Sequence, residues 1–368
     1  MSRELLHTPE GVRDIYGKQS YDRSCVKHKI KDVMYRYGYE NIITPTFEFF
    51  DVFAKEISKQ SAKDLYKFFD NEGNTLVLRP DYTPAVARCI AKYHMDDDNP
   101  VRICYSGNIF INTHRLQGKL REHMHMGAEL MCDGSMNADA EMIAMMIEAI
   151  KASGLSEFKV TIGSAKYYSG ICAEAKINDK DAEKYRDLIA SKNYFALEDE
   201  LKKNNIDEKY IDILMHLPKI STIDGLDKAK DKISNKDSID AIEYLKKLYG
   251  KLSLYGVENY VSFDLSMLSE YNYYTGVIFR AYTYGVGEAI AQGGRYDNLL
   301  HKFGKDAPAI GFMINLEYIM NAIANQNIEI VYAQKPEVVT YTDDTYEEVL
   351  KNVTAKRNQG YYIVLRHE

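Results

Sequence analysis

Residues 105–129, YSGNIFINTHRLQGKLREHMHMGAE, place Arg115, Lys119 and Arg121 in a loop between two apolar runs. His114, His123 and His125, three of the nine histidines in the chain, sit in the same stretch. Guanidinium and ammonium groups on a loop grip anions, because a planar fork or a compact cation meets carboxylate or phosphate oxygens directly. Two readings of this loop stand side by side: a phosphate or nucleotide grip, and a solvated loop or subunit contact. His123 and His125 lie two residues apart and share a strand face, where imidazoles could take a metal. No cysteine or carboxylate completes a usual ligand spacing around them, so no metal is expected. Asp81 and Glu129 are carboxylates able to hold a cationic ligand, or to form structural ion pairs with neighbours such as Arg79.

Positioning such groups needs strands. Residues 101–112 and 121–132 read as the two strands around the loop. YKFF (66–69) and TLVLR (75–79) flank DNEGN, a hairpin signal. A helix is expected from about Thr83, with Pro84 at its first position. Val26, Ile30, Val33, Met34 and Tyr37 fall on one face of a helix from about Ser20 to Tyr37, and Gly38 follows as its stop. Ile42–Thr44 reads as an edge or interface strand limited by Pro45. Asp139–Ala152 is apolar nearly all round, a buried helix whose Met142, Met145 and Met146 fill core. Strands are expected at Lys159–Ile162, Tyr260–Phe263 and Val277–Tyr284, and a strand then a helix through GFMINLEYIMNAI. The glycines of GGRYD (293–297) read as a tight turn. From 166 to 255 Lys, Asp and Glu dominate and glycine is rare, which gives a helical insert with a solvated charged surface. Residues 328–332 are a linker or strand. The last segment reads β-α-β, an incomplete domain by itself, so the chain is expected to be truncated there. Strands arriving mostly as hairpins, with helices between them, predict an α+β fold on an antiparallel sheet.

The 368 residues suffice for two or three domains. A net charge of -7 argues against a general nucleic-acid grip, although a local basic loop could still hold a phosphate. Cys25, Cys89, Cys104, Cys132 and Cys172 are odd in number and lack a C-x-x-C pair, so buried thiols in a reducing cytoplasm are expected. The N-terminal residues show no apolar signal-peptide core, and no apolar run reaches the roughly 18 residues of a membrane span. A strand-linked G-x-G-x-x-G, a G-x-x-x-x-G-K-[ST] and an H-E-x-x-H are absent.

YGYENIITPTFE (37–48), LRPDYT (78–83), the 105–129 stretch, and YYTGVIF (273–279) with GGRYDNL (293–299) together resemble the catalytic core of histidyl-tRNA synthetase, a class II synthetase fold. The resemblance covers roughly residues 8–325. It implies a six-stranded antiparallel sheet flanked by helices over 1–325, with the helical insert (166–255) inside it. Residues 326–368 are similar, weakly, to the start of an anticodon-binding domain. TPTFE resembles the dimer motif of the class, which implies a homodimer with Pro45 at the subunit interface.

The family uses three arginines to stabilise charge on the α-phosphate of ATP. Motif by motif, the resemblance puts Ile111 where F-R-x-E has its arginine, with Thr113 for the glutamate. It puts Ser269 at the arginine of L-V-R-G-L-D-Y-Y-T-G, and Tyr318 at that of G-L-E-R. Losing one pre-organised charge stabiliser typically costs about 100- to 1000-fold in rate, so adenylate chemistry is not expected here. The histidine-binding positions are largely kept: Asp81 (for Glu), Thr83, Glu129, Tyr273, Tyr274 and Tyr296, with His125 in place of a glutamine. His125 is read as lining the pocket, and His114 and His123 as loop or surface residues.

A dismantled ATP half beside a retained histidine half resembles the regulatory subunits of the short-form ATP phosphoribosyltransferase. LLHTPEGVRDIYG, DLYKFFDNEGNTLVLRPDYTPAVARCIAKY and GNIFINTHRLQGKLREHMHMGAEL carry that likeness. It implies a non-catalytic partner of the catalytic subunit, which joins ATP to phosphoribosyl pyrophosphate in the first step of histidine biosynthesis. It further implies L-histidine as effector, a homodimer within a hetero-octamer, and no cofactor, metal, nucleic acid or membrane. An aberrant histidyl-tRNA synthetase and a synthetase-like histidine or tRNA sensor are the competing functions.

Overall fold

A computed structural model of the chain describes residues 6–54, 61–112, 119–267, 274–332 and 336–368. Helix α1 (Gly17–Arg36) begins slightly before the apolar periodicity does and buries Val26, Ile30, Val33 and Met34. Gly38, at φ +81, ends it. The chain continues through β1 (Glu40–Asn41), β2 (Phe47–Phe49), α2 (Asp51–Ala54), β3 (Lys67–Phe69), β4 (Thr75–Leu78), α3 (Thr83–Tyr93), β5 (Val101–Phe110), β6 (Glu122–Met131), α4 (Met136–Ala152) and β7 (Phe158–Ser164). The charged insert is helical: α5 (Ala165–Glu174), α6 (Asp179–Ala190), α7 (Tyr194–Lys203), α8 (Glu208–His216), α9 (Ile223–Lys230) and α10 (Lys236–Leu254). Then come β8 (Val261–Phe263), β9 (Val277–Thr283), β10 (Ala291–Arg295), β11 (Ala309–Asn315) and α11 (Leu316–Asn325). Two compact units divide the chain after Ile328. The second contains β12 (Glu337–Tyr341), α12 (Tyr346–Asn358) and β13 (Ile363–His367), with β12 and β13 paired in parallel as a β-α-β unit. Residues 328–332 form a linker without regular structure.

The main sheet has eight strands, not the expected six, in the order β1-β5-β6-β11-β10-β9-β7-β8. The inner six pair antiparallel throughout. The two additions are short edge strands, β1 on β5 and β8 on β7, and both pair in parallel. A parallel neighbour needs a crossover rather than a hairpin. The helical insert supplies that crossover between β7 and β8. β8 is the strand expected at Tyr260–Phe263, whereas β1, two residues long, is too short for an alternation to mark it.

Ile42–Thr44 is a second correction. After β1 the Ile42 amide still bonds across, to the Cys104 carbonyl. The Thr44 and Pro45 carbonyls accept instead from Arg79 Nη1 (2.9 and 3.2 Å), so the segment holds a buried side chain and not a strand. The 66–79 hairpin is present, its turn fixed by Asp70, whose carboxylate accepts from the amides of Glu72 and Asn74. With β2 it forms a separate three-stranded sheet, which exposes Phe47, Phe49 and Phe69.

Helix α4 packs against β6 and β11, with Met142, Met145 and Met146 fully buried. Helix α3 joins an apolar cluster on the other face, with Tyr105 and Ile109. Of the five thiols only Cys104 and Cys172 are buried; Cys25, Cys89 and Cys132 are partly exposed, contrary to expectation. No described helix is long and apolar enough to cross a membrane.

Candidate functional site

Strand alternation builds the site. The register pairs Tyr105 with Gly127 and Ile109 with His123, so odd-numbered residues of β5 and β6 share one face. On that face lies a cavity of about 410 Å³ walled by Ile109, His123, His125 and Glu129. Thr83, in the first turn of α3, and Asp81 just before it close one side; Tyr274 and Tyr296 close another. Six of the seven histidine-site positions named from the sequence therefore converge on one cavity. Tyr273 lies outside the described residues, as do Ser269, Thr113, His114 and Arg115.

Glu129 is the innermost polar group, 1% exposed. It accepts from Thr83 Oγ1 (2.8 Å), from the Tyr105 hydroxyl (3.3 Å) and, over a short contact, from the Tyr296 hydroxyl. Among the described residues no cation pairs with it. Burial pushes its carboxyl up to about 8, aided by the nearby Asp81 and opposed by the three hydroxyls. Gly311 faces it across the β6–β11 pair, and a Cβ there would stand 1.5 Å from Glu129 Oε2. Glycine is required at that point by space.

His125 is buried, and burial with His123 beside it lowers its basicity to about 3, so the ring stays neutral. Its Nδ1 has no partner among the described residues. His123 is not a loop or surface residue as expected; it is buried and lines the cavity. Its Nδ1 lies 3.3 Å from Asn315 Nδ2 and its Nε2 3.0 Å from the Leu120 carbonyl, which fits an Nε2–H tautomer. Among the described residues no three His, Cys, Asp or Glu side chains gather in a metal-holding group.

Arg79 forms no structural ion pair with Asp81 or Glu129. Its guanidinium donates to the carbonyls of Asn108, Thr44 and Pro45 and stacks 4.2 Å over the Tyr82 ring. Asp81 instead accepts from the Tyr82 amide at 2.7 Å. The GGRYD glycines are not a turn: Gly293 and Gly294 lie inside β10, where a Cβ on Gly293 would meet the Gly311 carbonyl at 2.2 Å. The same motif anchors the fold. Arg295 Nε donates to Asp139 of α4 at 2.8 Å, and its Nη1 reaches Asp297 at 3.1 Å.

Ile111 and Tyr318 both stand on the cavity wall. The Tyr318 ring meets His123 edge-on at 5.9 Å, and burial raises its phenol. At the mouth Lys119 pairs with Glu288 at 3.6 Å, both well exposed, and Lys192 enters from the insert. Sequence reasoning missed Tyr105, His123, Asn315 and Lys192. The odd-numbered alternation from Tyr105 to Ile109 and from His123 to Glu129 was a usable signal for the first two. Nothing local marks Lys192.

Comparison with known proteins places this geometry. A family model described as histidyl-tRNA synthetase matches residues 11–319. An ATP phosphoribosyltransferase regulatory subunit from Acetivibrio thermocellus is 36% identical over 361 residues, covering 98% of this chain and 86% of that protein. A crystal structure described as an ATP phosphoribosyltransferase regulatory subunit/histidyl-tRNA synthetase from Bacillus halodurans superposes with a TM-score of 0.87. It is 32% identical and covers 99% of this chain and 93% of that one. Histidyl-tRNA synthetase from Nostoc shares the fold, with a TM-score of 0.83 at 21% identity, covering 99% of this chain and 86% of that one.

Proposed function

We infer the function of this chain from the family to which it belongs, the ATP phosphoribosyltransferase regulatory subunits built on the histidyl-tRNA synthetase fold. It is a regulatory subunit that acts in histidine biosynthesis by partnering a short-form catalytic subunit, and it carries no aminoacylation chemistry of its own. The cavity is its histidine sensor, formed by Asp81, Thr83, His125, Glu129, Tyr274 and Tyr296, together with Tyr273. One observation carries this reading. A fully buried carboxyl, Glu129, is surrounded by neutral hydroxyls, in a cavity whose wall carries Ile111 and Tyr318 at two positions where the synthetase resemblance implies arginine, beside one guanidinium, Arg280.

The chemistry divides the ligand between two carboxylates. An ammonium is strongly hydrated and costly to bury, so it belongs at Asp81, which keeps some contact with solvent. An imidazole can gain or lose its proton near neutrality, so it belongs at the floor, where Glu129 titrates in the same range. Ile111 and Tyr318 offer no charge to a triphosphate, which leaves Arg280 and Lys192 as the cations among the described residues of the cavity wall and supports a site for the amino acid. The exposed Phe47, Phe49 and Phe68, which share one face of the β2-β4-β3 sheet, support a homodimer across it, within a hetero-octamer. The unit from residue 329 onward resembles part of an anticodon-binding domain, and the five unpaired cysteines fit a cytoplasmic location.

The test is reconstitution. The purified chain is mixed with a cognate short-form catalytic subunit, and phosphoribosyl-ATP formation is followed with and without histidine. Activity should appear only on mixing and fall with histidine. In the Glu129→Ala complex activation should persist while histidine inhibition weakens. No activation, together with histidine-dependent pyrophosphate exchange by the chain alone, would return it to the synthetases.

A further inference from the structure

Strand β6 has two faces, and each carries a cavity. Behind the histidine pocket the even-numbered residues Glu122 and Met124 wall a second cavity of about 370 Å³, closed by α1 and by the first turn of α11. Helix α1 contributes Arg23 and Lys27, one turn apart on one face. Arg23 Nη2 donates to Glu317 Oε1 at 2.6 Å, and these side chains are 11% and 5% exposed. The other Glu317 oxygen accepts from the Met124 amide at 2.8 Å. Glu317 is thus satisfied, while Arg23 keeps its second amino group, Nη1, buried with no partner among the described residues. A buried donor without an acceptor carries a desolvation cost that native proteins rarely leave uncompensated. Lys27 reinforces the deficit: burial and the repulsion of Lys31 and Arg23 lower its basicity. Arg13 adds a third cation at the rim, opposed by Asp14, and Glu122 is occupied by the Asn108 amide.

We propose that this rear cavity is a binding site for a small metabolite with an oxyanion head, a carboxylate or a phosphate, seated between Arg23 Nη1 and Lys27 Nζ. The head completes the guanidinium, and the cavity leaves room for a compact organic body. The proposal depends on Arg23, Lys27 and the back of β6, and on no reading of the front pocket.

The test uses the full chain and two probes, inorganic phosphate and acetate, each titrated by calorimetry against chloride at matched ionic strength. Saturable binding of one probe is expected, and which one binds identifies the head. Lys27→Gln, at a partly exposed position, should keep the parent melting temperature in chloride and weaken the probe about tenfold. Ser24→Tyr, which adds bulk from an exposed position on the cavity wall, should abolish binding. No saturation by either probe up to about 10 mM, or saturation that Lys27→Gln and Ser24→Tyr leave unchanged, overturns the site.

Discussion

Asp139 on α4 and Glu129 on β6 are both essentially inaccessible to solvent, yet their surroundings differ in kind. Asp139 has a guanidinium, Arg295, at hydrogen-bonding distance and the Tyr244 hydroxyl against its other oxygen. Glu129 has three hydroxyls and no cation among the described residues. The first arrangement is complete in itself and ties the GGRYD strand to the central helix. The second leaves a carboxyl short of a charge partner, which a ligand can bring. A buried carboxylate paired within the chain is satisfied by the fold, whereas one given only neutral donors keeps a raised pKa and is a candidate for a site.

Four measurements break or sharpen this contrast. The largest effect is expected from Arg295→Leu, which strands Asp139 without its cation; denaturant unfolding should show a loss of roughly 3–5 kcal/mol. If that variant is as stable as the parent, the pair is not structural.

Glu129→Gln should act oppositely. The folded-state pKa of Glu129, about 8, lies above the value of an exposed carboxyl. The unfolded chain therefore gives up this proton first, and folding is progressively penalised from about pH 4.5 up to pH 8. The slope is roughly 1.4 kcal/mol per pH unit, so the parent should lose about 2–3 kcal/mol from this group between pH 6 and 8. Glu129→Gln should remove that slope, and equal slopes in parent and variant would mean that Glu129 is ionised in the empty pocket.

Histidine binding gives the third test. The imidazole–Glu129 pair needs one shared proton. Below about pH 6.5 ligand and protein together hold two, so one must be released; above about pH 8 they hold none, so one must be taken up. Affinity should be flat between these limits and fall outside them, and Glu129→Gln should weaken it about tenfold or more and remove the break near pH 8. An affinity that climbs steadily to pH 8 would place the ammonium, not the imidazole, on Glu129. The smallest effect is a control: Lys351→Ala, breaking the exposed Glu347 pair of α12, should leave unfolding unchanged within error.

Much of the framework was legible in the sequence. Apolar residues on every side of 139–152 identified a central helix, and the DNEGN turn identified its hairpin, because periodicity and turn chemistry act over a few residues. Asp81, Thr83, His125, Glu129, Tyr274 and Tyr296 could be named in advance from motifs, and the sheet brings all six to one cavity. What escaped depended on distant partners. β1 exists because the longer β5 offers it an edge. Ile42–Thr44 looks like a strand, but the carbonyls of Thr44 and Pro45 are taken by a guanidinium from residue 79. His123 looked like a loop residue until Asn315 and Tyr318, nearly two hundred positions away, closed over it.

By itself the sequence determined which side chains share a face, since a strand period of two and a helix period of 3.6 are local geometry. It also determined the absence of arginine at 111 and 318. Only the tertiary structure decided the raised pKa of Glu129, because it is buried among groups at positions 83, 105, 296 and 311, which no local pattern brings together. It likewise decided that one strand separates two cavities, a relation that exists only once α1 and α11 have closed against the back of the sheet.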